Sequence, residues 1–452
     1  MEEILHDAVN RSLRYVANLK KRRVGPSVEA MERLEHFRKQ LQDAPADPLA
    51  VLAELDEYGS DATVASTGGR YFGFVTGGVL PAALGANILA GVWDQNAVLE
   101  ISSPVSSVLE EVCRKWLISI FSLPSDSAVG FVTGATMANF TGLAAARHAV
   151  LADSGWDVEA QGLFGAPPVT VIVGNEVHVS LLKALSMLGL GRDRVVRIPV
   201  DSQGRMIAGK LPGIGGPTIV CIQAGNVNTG AFDPAGEICA LAKDAGAWVH
   251  VDGAFGMWAA ASPKFSSLAE GISNADSWAT DAHKWLNVPY DSGLVFVREP
   301  RNLRAAMSTT AAYLIEGSRR DPCQYVPELS RRARGIEIWA ALCSLGRCGL
   351  SSLIERTCGY AARTAKELRH AGFNVLNDVV LNQVLVSFGN PEVTRRVVSC
   401  IQKEGTCWCG GTEWQGKAAM RISISSWATD EDDIEKCIET MIRIASEEAD
   451  SG

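Results

Sequence analysis

The chain has 452 residues, of which 47% are hydrophobic and 21% are charged, and its formal net charge is −9 at pH 7. This length allows two or three subdomains around a large core, and the composition argues against a wholly disordered protein. The negative net charge argues against nucleic acid as the main partner.

We expect a cytoplasmic protein that neither crosses nor binds a membrane. The first seven residues are acidic at once and lack the basic and then apolar pattern of a signal peptide. The longest apolar stretch, residues 82–93, is too short to span a bilayer. Eleven scattered cysteines show no disulfide framework, which fits a reducing compartment. The closest pair, Cys407 and Cys409, has no companion cluster, so we expect no metal site.

The first fifty residues have the spacing of amphipathic helix. The apolar positions of the first stretch are Ile4, Leu5, Ala8, Val9, Leu13, Val16 and Leu19. A second helical pattern covers residues 27–41, and Pro45 and Pro48 end it. We predict that residues 1–70 form an N-terminal helical arm.

Short β-branched runs alternate with helical patterns in the middle of the chain. The predicted strands are 129–133, 169–174, 194–200, 218–224, 247–253, 277–281 and 293–297, and the predicted helices include 138–150, 179–188 and 234–245. Such alternation of nearly continuous apolar strands with helices predicts an α/β fold around a mainly parallel, doubly covered sheet. We assign residues 71–320 to this large domain.

The pattern changes after about residue 322. We predict helices at 329–347 and 351–370, short strands at 384–388 and 420–425, and a final helix at 430–447. Residues 321–452 therefore form a smaller C-terminal α+β domain in this prediction.

Polar residues stand at the ends of two predicted strands. Asp252 ends the apolar run that begins at residue 247, and Lys284 follows the run 277–281. Ligands bind at the carboxyl ends of strands in open α/β sheets. A carboxylate near a lysine is the minimum equipment for pyridoxal phosphate (PLP) chemistry, in which the lysine forms a Schiff base and the carboxylate keeps the pyridine nitrogen protonated. This pair predicts a PLP enzyme.

Each of these residues also has an ordinary structural explanation. Asp252 alone would fit a helix cap, and Lys284 alone would fit a polar surface, although its sequence neighbours are apolar. The turn at residues 133–136 fits either a helix N-cap or a phosphate cradle of backbone N–H groups. His178 fits either a core or capping histidine, or an imidazole lying flat against the pyridine ring. The pairing of Asp252 with Lys284 favours the functional interpretation of all of them.

With these motifs the chain resembles the group II PLP-dependent amino-acid decarboxylases, which include aromatic-L-amino-acid, glutamate, histidine and diaminobutyrate decarboxylases. The resemblance runs from about residue 72 to residue 425, and its most specific motifs are His283-Lys284-Trp285 and residues 250–254 (HVDGA). Supporting matches are Ser103-Pro104 before Leu109-Glu110, the turn Gly134-Ala135-Thr136, and His178 after its strand. The resemblance implies a fold-type I, aspartate-aminotransferase-like architecture, a seven-stranded PLP-binding sheet, and a homodimer with active sites at its interface.

Carried over position by position, the resemblance implies roles for residues around the cofactor ring. Lys284 is the Schiff-base lysine, Asp252 holds the pyridine nitrogen, and His178 stacks on the ring. Thr76 resembles a family threonine near the cofactor and substrate. Tyr313 aligns with the mobile-loop tyrosine thought to protonate the substrate carbon after CO2 is lost, whereas phenylalanine there is associated with aldehyde-forming relatives.

The resemblance also implies a site for the phosphate of PLP, and this chain departs from the family pattern in one loop. Ala135, Thr136 and His283 would hold the phosphate, and Asp281 stands where the family often has asparagine. Many members carry Gly-Thr-Thr in a later loop, where this chain has residues 225–227 (GNV) before Phe232-Asp233. Asn226 or Asn228 would then supply the polar contact that the missing hydroxyl provides elsewhere.

We therefore expect decarboxylation of an L-amino acid to the amine and CO2. Phe74, Trp93 and Val98 suit an aromatic substrate, while Asp94 and Asn96 suit a polar or basic one. A basic or acidic substrate such as diaminobutyrate or glutamate is the first alternative. A same-fold aminotransferase or lyase and a binding protein that kept the fold are the others.

Overall fold

The computed structural model describes residues 1–309 and 320–450, in two compact units. The first unit comprises residues 1–78, 360–376 and the chain from 384 onward, and the second comprises residues 79–359 and 377–383. This division by compactness differs from the three segments predicted from the sequence, 1–70, 71–320 and 321–452, which stay a prediction about domains.

The described residues form helices and strands in the following order. The helices are α1 Glu2–Asn18, α2 Val28–Arg33, α3 Pro48–Gly59, α4 Pro81–Trp93, α5 Pro104–Ile120, α6 Ala135–Ala152, α7 Val158–Gln161, α8 Val179–Met187, α9 Ala235–Asp244, α10 Pro300–Met307, α11 Gly335–His370, α12 Pro391–Glu404 and α13 Glu431–Asp450. The strands are β1 Ala128–Val132, β2 Thr170–Gly174, β3 Val196–Ile198, β4 Thr218–Gln223, β5 Trp248–Asp252, β6 Ser277–Asp281, β7 Gly293–Val297, β8 Asn374–Val375, β9 Gln383–Ser387, β10 Gly410–Trp414 and β11 Lys417–Ser423. None of the helices in the described ranges is long and apolar enough to cross a membrane.

The second unit is built on a seven-stranded sheet with the order β1-β7-β6-β5-β4-β2-β3. Strand β7 runs antiparallel to β1 and β6, and the other neighbouring strands are parallel. Every residue of β1, β4, β5, β6 and β7 is buried, as expected for strands covered on both faces, and the sequences of β1 and β7 are apolar throughout. The predicted α/β fold is confirmed, and each of the seven strands begins and ends within two residues of its predicted bounds.

Helix α6 covers the face of β5, β6 and β7. Half of its buried residues are alanine, which lets the helix lie close to the sheet, and Leu143 and Val150 pack with Val173 and Val295 in the main core. The helix begins after Gly134 and therefore starts where β1 ends.

The first unit contains a four-stranded sheet with the order β10-β11-β9-β8. Leu385, Trp414 and Ala419 form a small core on it. Arg70 ties segments of this unit together, because its guanidinium donates to the carbonyl groups of Lys20 and Thr406. The apolar residues of α1 that define its amphipathic pattern are not buried within the described chain.

Several predicted boundaries outside the large sheet were wrong. The predicted helix 329–347 begins only at Gly335, and its break from the next predicted helix lies at Gly346, which is not helical (φ 58°). The predicted helix 27–41 is the short α2 followed by a 3-10 turn that ends at Phe37. Strands β8 and β10 and helix α12 were not predicted.

A buried ion cluster joins α5 to later parts of the second unit. The fully buried Glu110 places Oε2 2.6 Å from Nη1 of Arg320 and Oε1 2.5 Å from Nη2 of Arg331. Arg331 also donates to the carbonyl of Phe131 in β1 at 3.1 Å. The cluster therefore pairs a buried carboxylate with two largely buried guanidinium groups.

We predict that Glu110→Ala lowers the free energy of unfolding by about 3–5 kcal/mol, because it leaves two largely buried positive charges without a partner. Denaturant unfolding followed by circular dichroism measures this loss. Arg205→Ala is the control, since it removes the exposed pair with Asp201 and should cost less than about 1 kcal/mol. Equal losses in the two variants would contradict the prediction.

Candidate active site

Asp252 is the last residue of β5 and lies at the carboxyl edge of the sheet. It pairs in register with Gln223 of β4 and Ala279 of β6. The residue is 5% exposed, and its Oδ1 accepts a hydrogen bond from the backbone N–H of Ala254 at 3.2 Å. Its Oδ2 accepts from Nδ2 of Asn139 at 3.1 Å. Two donors therefore fix a buried carboxylate at the end of a central strand.

Sequence reasoning missed Asn139, which lies on α6 and is fully buried. Its Oδ1 is 2.9 Å from Nε2 of His250, a residue that the sequence analysis noted only as part of a motif. The available signal was a lone amide in an alanine-rich helix, because a buried amide needs hydrogen-bond partners.

Lys284 follows β6 by three residues, and its amine lies against a carboxylate. The distance from its Nζ to Oδ2 of Asp281 is 2.9 Å, and its side chain is 17% exposed. The adjacent residues in the sequence are apolar, but the nitrogen itself contacts this carboxylate. Since β5 and β6 are parallel neighbours, Asp252 and the Asp281–Lys284 pair lie at the same edge of the sheet.

Asp281 also occupies the N-terminus of α6. Its Oδ1 accepts the backbone N–H of Ala135, the first residue of that helix, at 2.5 Å. An anion is stabilised there by unpaired backbone N–H groups and by the helix dipole. Thr136 follows at the second helical position and is half-buried. The carboxylate of Asp281 therefore lies at the helix N-terminus where the sequence analysis expected the phosphate of PLP.

His283 lies beside the same helix start. Its Nδ1 accepts the backbone N–H of Ser292 at 3.1 Å, and its Nε2 is 3.5 Å from Oδ1 of Asp281. Burial lowers the pKa of this imidazole below its ordinary value, against the opposing effect of Asp281. A neutral ring that accepts at Nδ1 carries its proton on Nε2, which then faces the carboxylate.

His178 caps helix α8, which follows β2. Its Nδ1 accepts the backbone N–H of Ser180 at 3.3 Å and lies 2.7 Å from the hydroxyl oxygen of that residue. The capping interpretation is therefore correct, and it leaves the predicted stacking role open because a cap uses only one ring nitrogen.

Asn226 organises the loop after β4. Its Oδ1 accepts the N–H groups of Asn228 and Thr229 at 2.9 and 3.3 Å, and its Nδ2 donates to the carbonyl of Glu176 at 3.5 Å. These bonds hold the loop in shape, and contact with the cofactor stays a prediction.

Two predicted site residues are not among the described residues of the second unit. Thr76 belongs to the first compact unit, where it is buried and its N–H donates to the carbonyl of Gly73 at 3.0 Å. Tyr313 lies outside the described residues. The roles assigned to both stay predictions.

The residues at this edge fit PLP by their chemistry. They supply a buried carboxylate, an amine after the neighbouring strand, and a helix N-terminus for a phosphate. Gly134 keeps that helix start open, because a Cβ there would lie 3.1 Å from Cε1 of His283 and 3.3 Å from Oδ1 of Asp281. The described residues contain no cluster of three or more side chains suited to a metal ion.

Known structures share the whole architecture. A TDC from Oryza sativa crystallised with PLP and tryptamine superposes with a TM-score of 0.89, at 21% identity, and the match covers 99% of this chain and 97% of that one. Mouse CSAD superposes with a TM-score of 0.90, at 22% identity, and 98% of each chain is covered. These likenesses establish the fold, which is that of the fold-type I PLP enzymes.

Sequence comparison identifies the family. Residues 39–389 match the model of the pyridoxal-dependent decarboxylase conserved domain. The chain is 26% identical to aromatic-L-amino-acid decarboxylase of Bacillus atrophaeus, over 96% of this chain and 93% of that enzyme. It is 28% identical to the acidic amino acid decarboxylase GADL1 of Bos taurus, but it spans only 54% of that enzyme's length. The chain belongs to the pyridoxal-dependent decarboxylase family and is a PLP-dependent carboxy-lyase.

We predict that Asp281→Asn binds PLP about tenfold more tightly than the natural chain. Asparagine still accepts the N–H of Ala135, but it removes a negative charge from the place expected to receive the phosphate. Fluorescence titration of the apoprotein with PLP measures the dissociation constant.

The matched control is Asp276→Asn. Asp276 directly precedes β6, at the end of the strand opposite to Asp281, and its carboxylate accepts the N–H of Val249 at 2.8 Å. PLP affinity should be unchanged in this control. Weaker binding in Asp281→Asn would show that its negative charge serves the holoenzyme through Lys284.

Proposed function

We propose that this enzyme removes the α-carboxylate of an aromatic L-amino acid as CO2 and releases the corresponding amine. The observation that carries the proposal is the placement of Asp252 and Lys284 at the ends of adjacent parallel strands in a chain of this family. The relative that matches over nearly its full length is an aromatic-L-amino-acid decarboxylase. Lophophora williamsii L-tyrosine/L-DOPA decarboxylase 2, at 28% identity, gives further support for an aromatic substrate.

When bound, PLP supplies an electron-accepting ring that takes up the electron pair left on the substrate carbon as CO2 departs. In our proposal the carboxylate of Asp252 holds the proton on the pyridine nitrogen, and the amine of Lys284 is the nucleophile that anchors the cofactor. His178 covers the ring, with its Nδ1 kept in place by the helix cap. The hydroxyl of Tyr313 donates a proton to the substrate carbon.

The remaining assignments concern the phosphate and the pocket. The start of α6 at Ala135 and Thr136, with the Nε2–H of His283, would bind the phosphate, and Thr76 would line the substrate side.

An acidic or basic substrate is the second candidate. Relatives named acidic amino acid decarboxylase support it. The same fold occurs in the glutamate decarboxylase domain of the diaminobutyrate-pyruvate transaminase and L-2,4-diaminobutyrate decarboxylase from Vibrio parahaemolyticus, with a TM-score of 0.86 at 18% identity. In the described structure Asp94 is exposed, whereas the side chain of Asn96 donates to Oγ of Ser330 at 3.2 Å and accepts the backbone N–H of Arg331 at 3.2 Å.

We further propose that the enzyme is a cytoplasmic homodimer with shared active sites. Support comes from α4, which leaves a row of large apolar side chains exposed in the single chain: Leu84, Ile88, Leu89, Val92 and Trp93. Soluble monomers seldom expose contiguous apolar patches of that kind, and a second copy would bury them.

The proposal predicts release of CO2 with an equal amount of amine when the PLP-loaded enzyme is incubated with an aromatic L-amino acid. A panel of single L-amino acids, analysed together for CO2, amine, aldehyde and keto acid, tests it. Lys284→Ala should lose turnover entirely, because no other residue can take the place of the anchoring amine. Keto acid without CO2 would overturn the reaction, and activity confined to acidic or basic substrates would overturn the substrate class.

We predict that Tyr313→Phe shifts the products from amine toward aldehyde and ammonia, because it removes the hydroxyl that delivers the proton. This oxidation would consume one O2 and one water for each amino acid and would release aldehyde, CO2, ammonia and hydrogen peroxide, with dissolved O2 as the two-electron oxidant. Product analysis together with an oxygen electrode measures the shift. A variant that forms amine alone, without O2 uptake, would remove Tyr313 from this role.

A further inference from the structure

A continuous chain of hydrogen bonds leads through the second unit to the carboxylate of Asp252. The indole Nε1 of Trp248 donates to Oγ of Ser277 at 2.8 Å, and this oxygen is 2.8 Å from Nδ1 of His250. Nε2 of His250 is 2.9 Å from Oδ1 of Asn139, and Nδ2 of Asn139 donates to Oδ2 of Asp252 at 3.1 Å. All five residues are buried.

The two ends of this chain fix the direction of every bond in it. Trp248 can only donate and an ionised Asp252 can only accept. The hydroxyl of Ser277, which receives the indole N–H, is therefore left to donate to Nδ1 of His250. The imidazole then carries its proton on Nε2 and donates to Asn139, whose amide nitrogen must face Asp252. Each group donates toward the carboxylate.

The imidazole is held neutral, as this arrangement requires. Burial lowers the pKa of His250 to about 3, and no charged side chain opposes that effect. The ring therefore keeps one donor and one acceptor nitrogen throughout the physiological pH range.

The fold explains how these residues meet. Trp248, His250 and Asp252 alternate along β5 and so share one face, and Ser277 of β6 is the register partner of His250. Gly142 of α6 makes room above the imidazole, because a Cβ there would lie 2.9 Å from Cε1 of His250.

We propose that Trp248, Ser277, His250 and Asn139 form a one-directional hydrogen-bond relay that orients the carboxylate of Asp252 toward the pyridine nitrogen of PLP. None of the four need touch cofactor or substrate, so they are positioning residues. The relay rests on the role proposed above for Asp252. Without the relay, Asn139 can turn its carbonyl oxygen toward Asp252. The repulsion between this oxygen and the carboxylate then displaces the carboxylate from the ring nitrogen.

The test loads the apoprotein with PLP labelled with ¹⁵N in the ring and follows the ¹⁵N chemical shift against pH. This shift reports whether the ring nitrogen carries a proton, whatever the substrate. We expect His250→Leu to lower the pH midpoint at which that proton is lost by about one unit, a tenfold change in proton affinity. It should also lower kcat more than it changes KM.

Two further variants make the expectation specific. His250→Gln offers an amide donor and an amide acceptor in place of the ring nitrogens, so its pH midpoint should lie close to that of the natural chain. Ser277→Ala removes the group that sets the tautomer and should lower the midpoint as well. Thr141→Val is the control, since Thr141 is buried on the same helix but donates only to the carbonyl of Met137 at 2.7 Å; its midpoint should not change.

The outcomes separate the relay from the assignment of Asp252. If folded His250→Leu, or folded Ser277→Ala where the first variant fails to fold, keeps the natural midpoint while Asp252→Asn lowers it, the relay is overturned and Asp252 stands. If Asp252→Asn also keeps the natural midpoint, the proposed role of Asp252 fails, and the relay fails with it. A midpoint shifted equally by Thr141→Val would overturn the relay by showing a general packing effect.

Discussion

The site depends on the parallel pairing of β5 with β6. This pairing sets Asp252 opposite Ala279, and the chain then needs only the next few residues to bring Asp281 and Lys284 to the same edge. Parallel strands end on one side of a sheet, so two segments about thirty residues apart in sequence deliver a carboxylate and an amine to one place. A shift in register by one residue would turn Asp252 to the other face of the sheet.

The carboxylate of Asp281 has two electrostatic partners at this edge of the sheet. The amine of Lys284 is paired with Asp281, and Asp281 is also bound to the N-terminus of α6. If the phosphate of PLP binds at this helix start, as proposed, it would lie beside the carboxylate of Asp281. The helix dipole, the imidazole N–H and the ammonium group all lie beside this carboxylate, so a bound phosphate would share them with Asp281.

The sequence was sufficient for the large sheet and insufficient for the contacts that orient its polar residues. Strands such as β5 and β7 are wholly buried, so their apolar runs are unambiguous, and the carboxylate at the end of β5 stands out against them. The ion pair of Lys284 was not predictable from apolar neighbours, because Asp281 reaches it only after the turn that follows β6. Asn139 was missed since an amide in a helix shows its partner only once the helix lies on the sheet. The short strands β8 and β10 were missed because one has two residues and the other is half exposed and polar.

The absence of a side chain at Gly142 limits which substitutions this sequence can accept during evolution. Glycine is a poor helix former, and alanine would suit the interior of α6 better if the helix stood alone. The imidazole of His250 fills the space that a methyl group would need. Positions 142 and 250 should therefore vary as a pair among related chains, with bulk allowed at the first only where the second has become small.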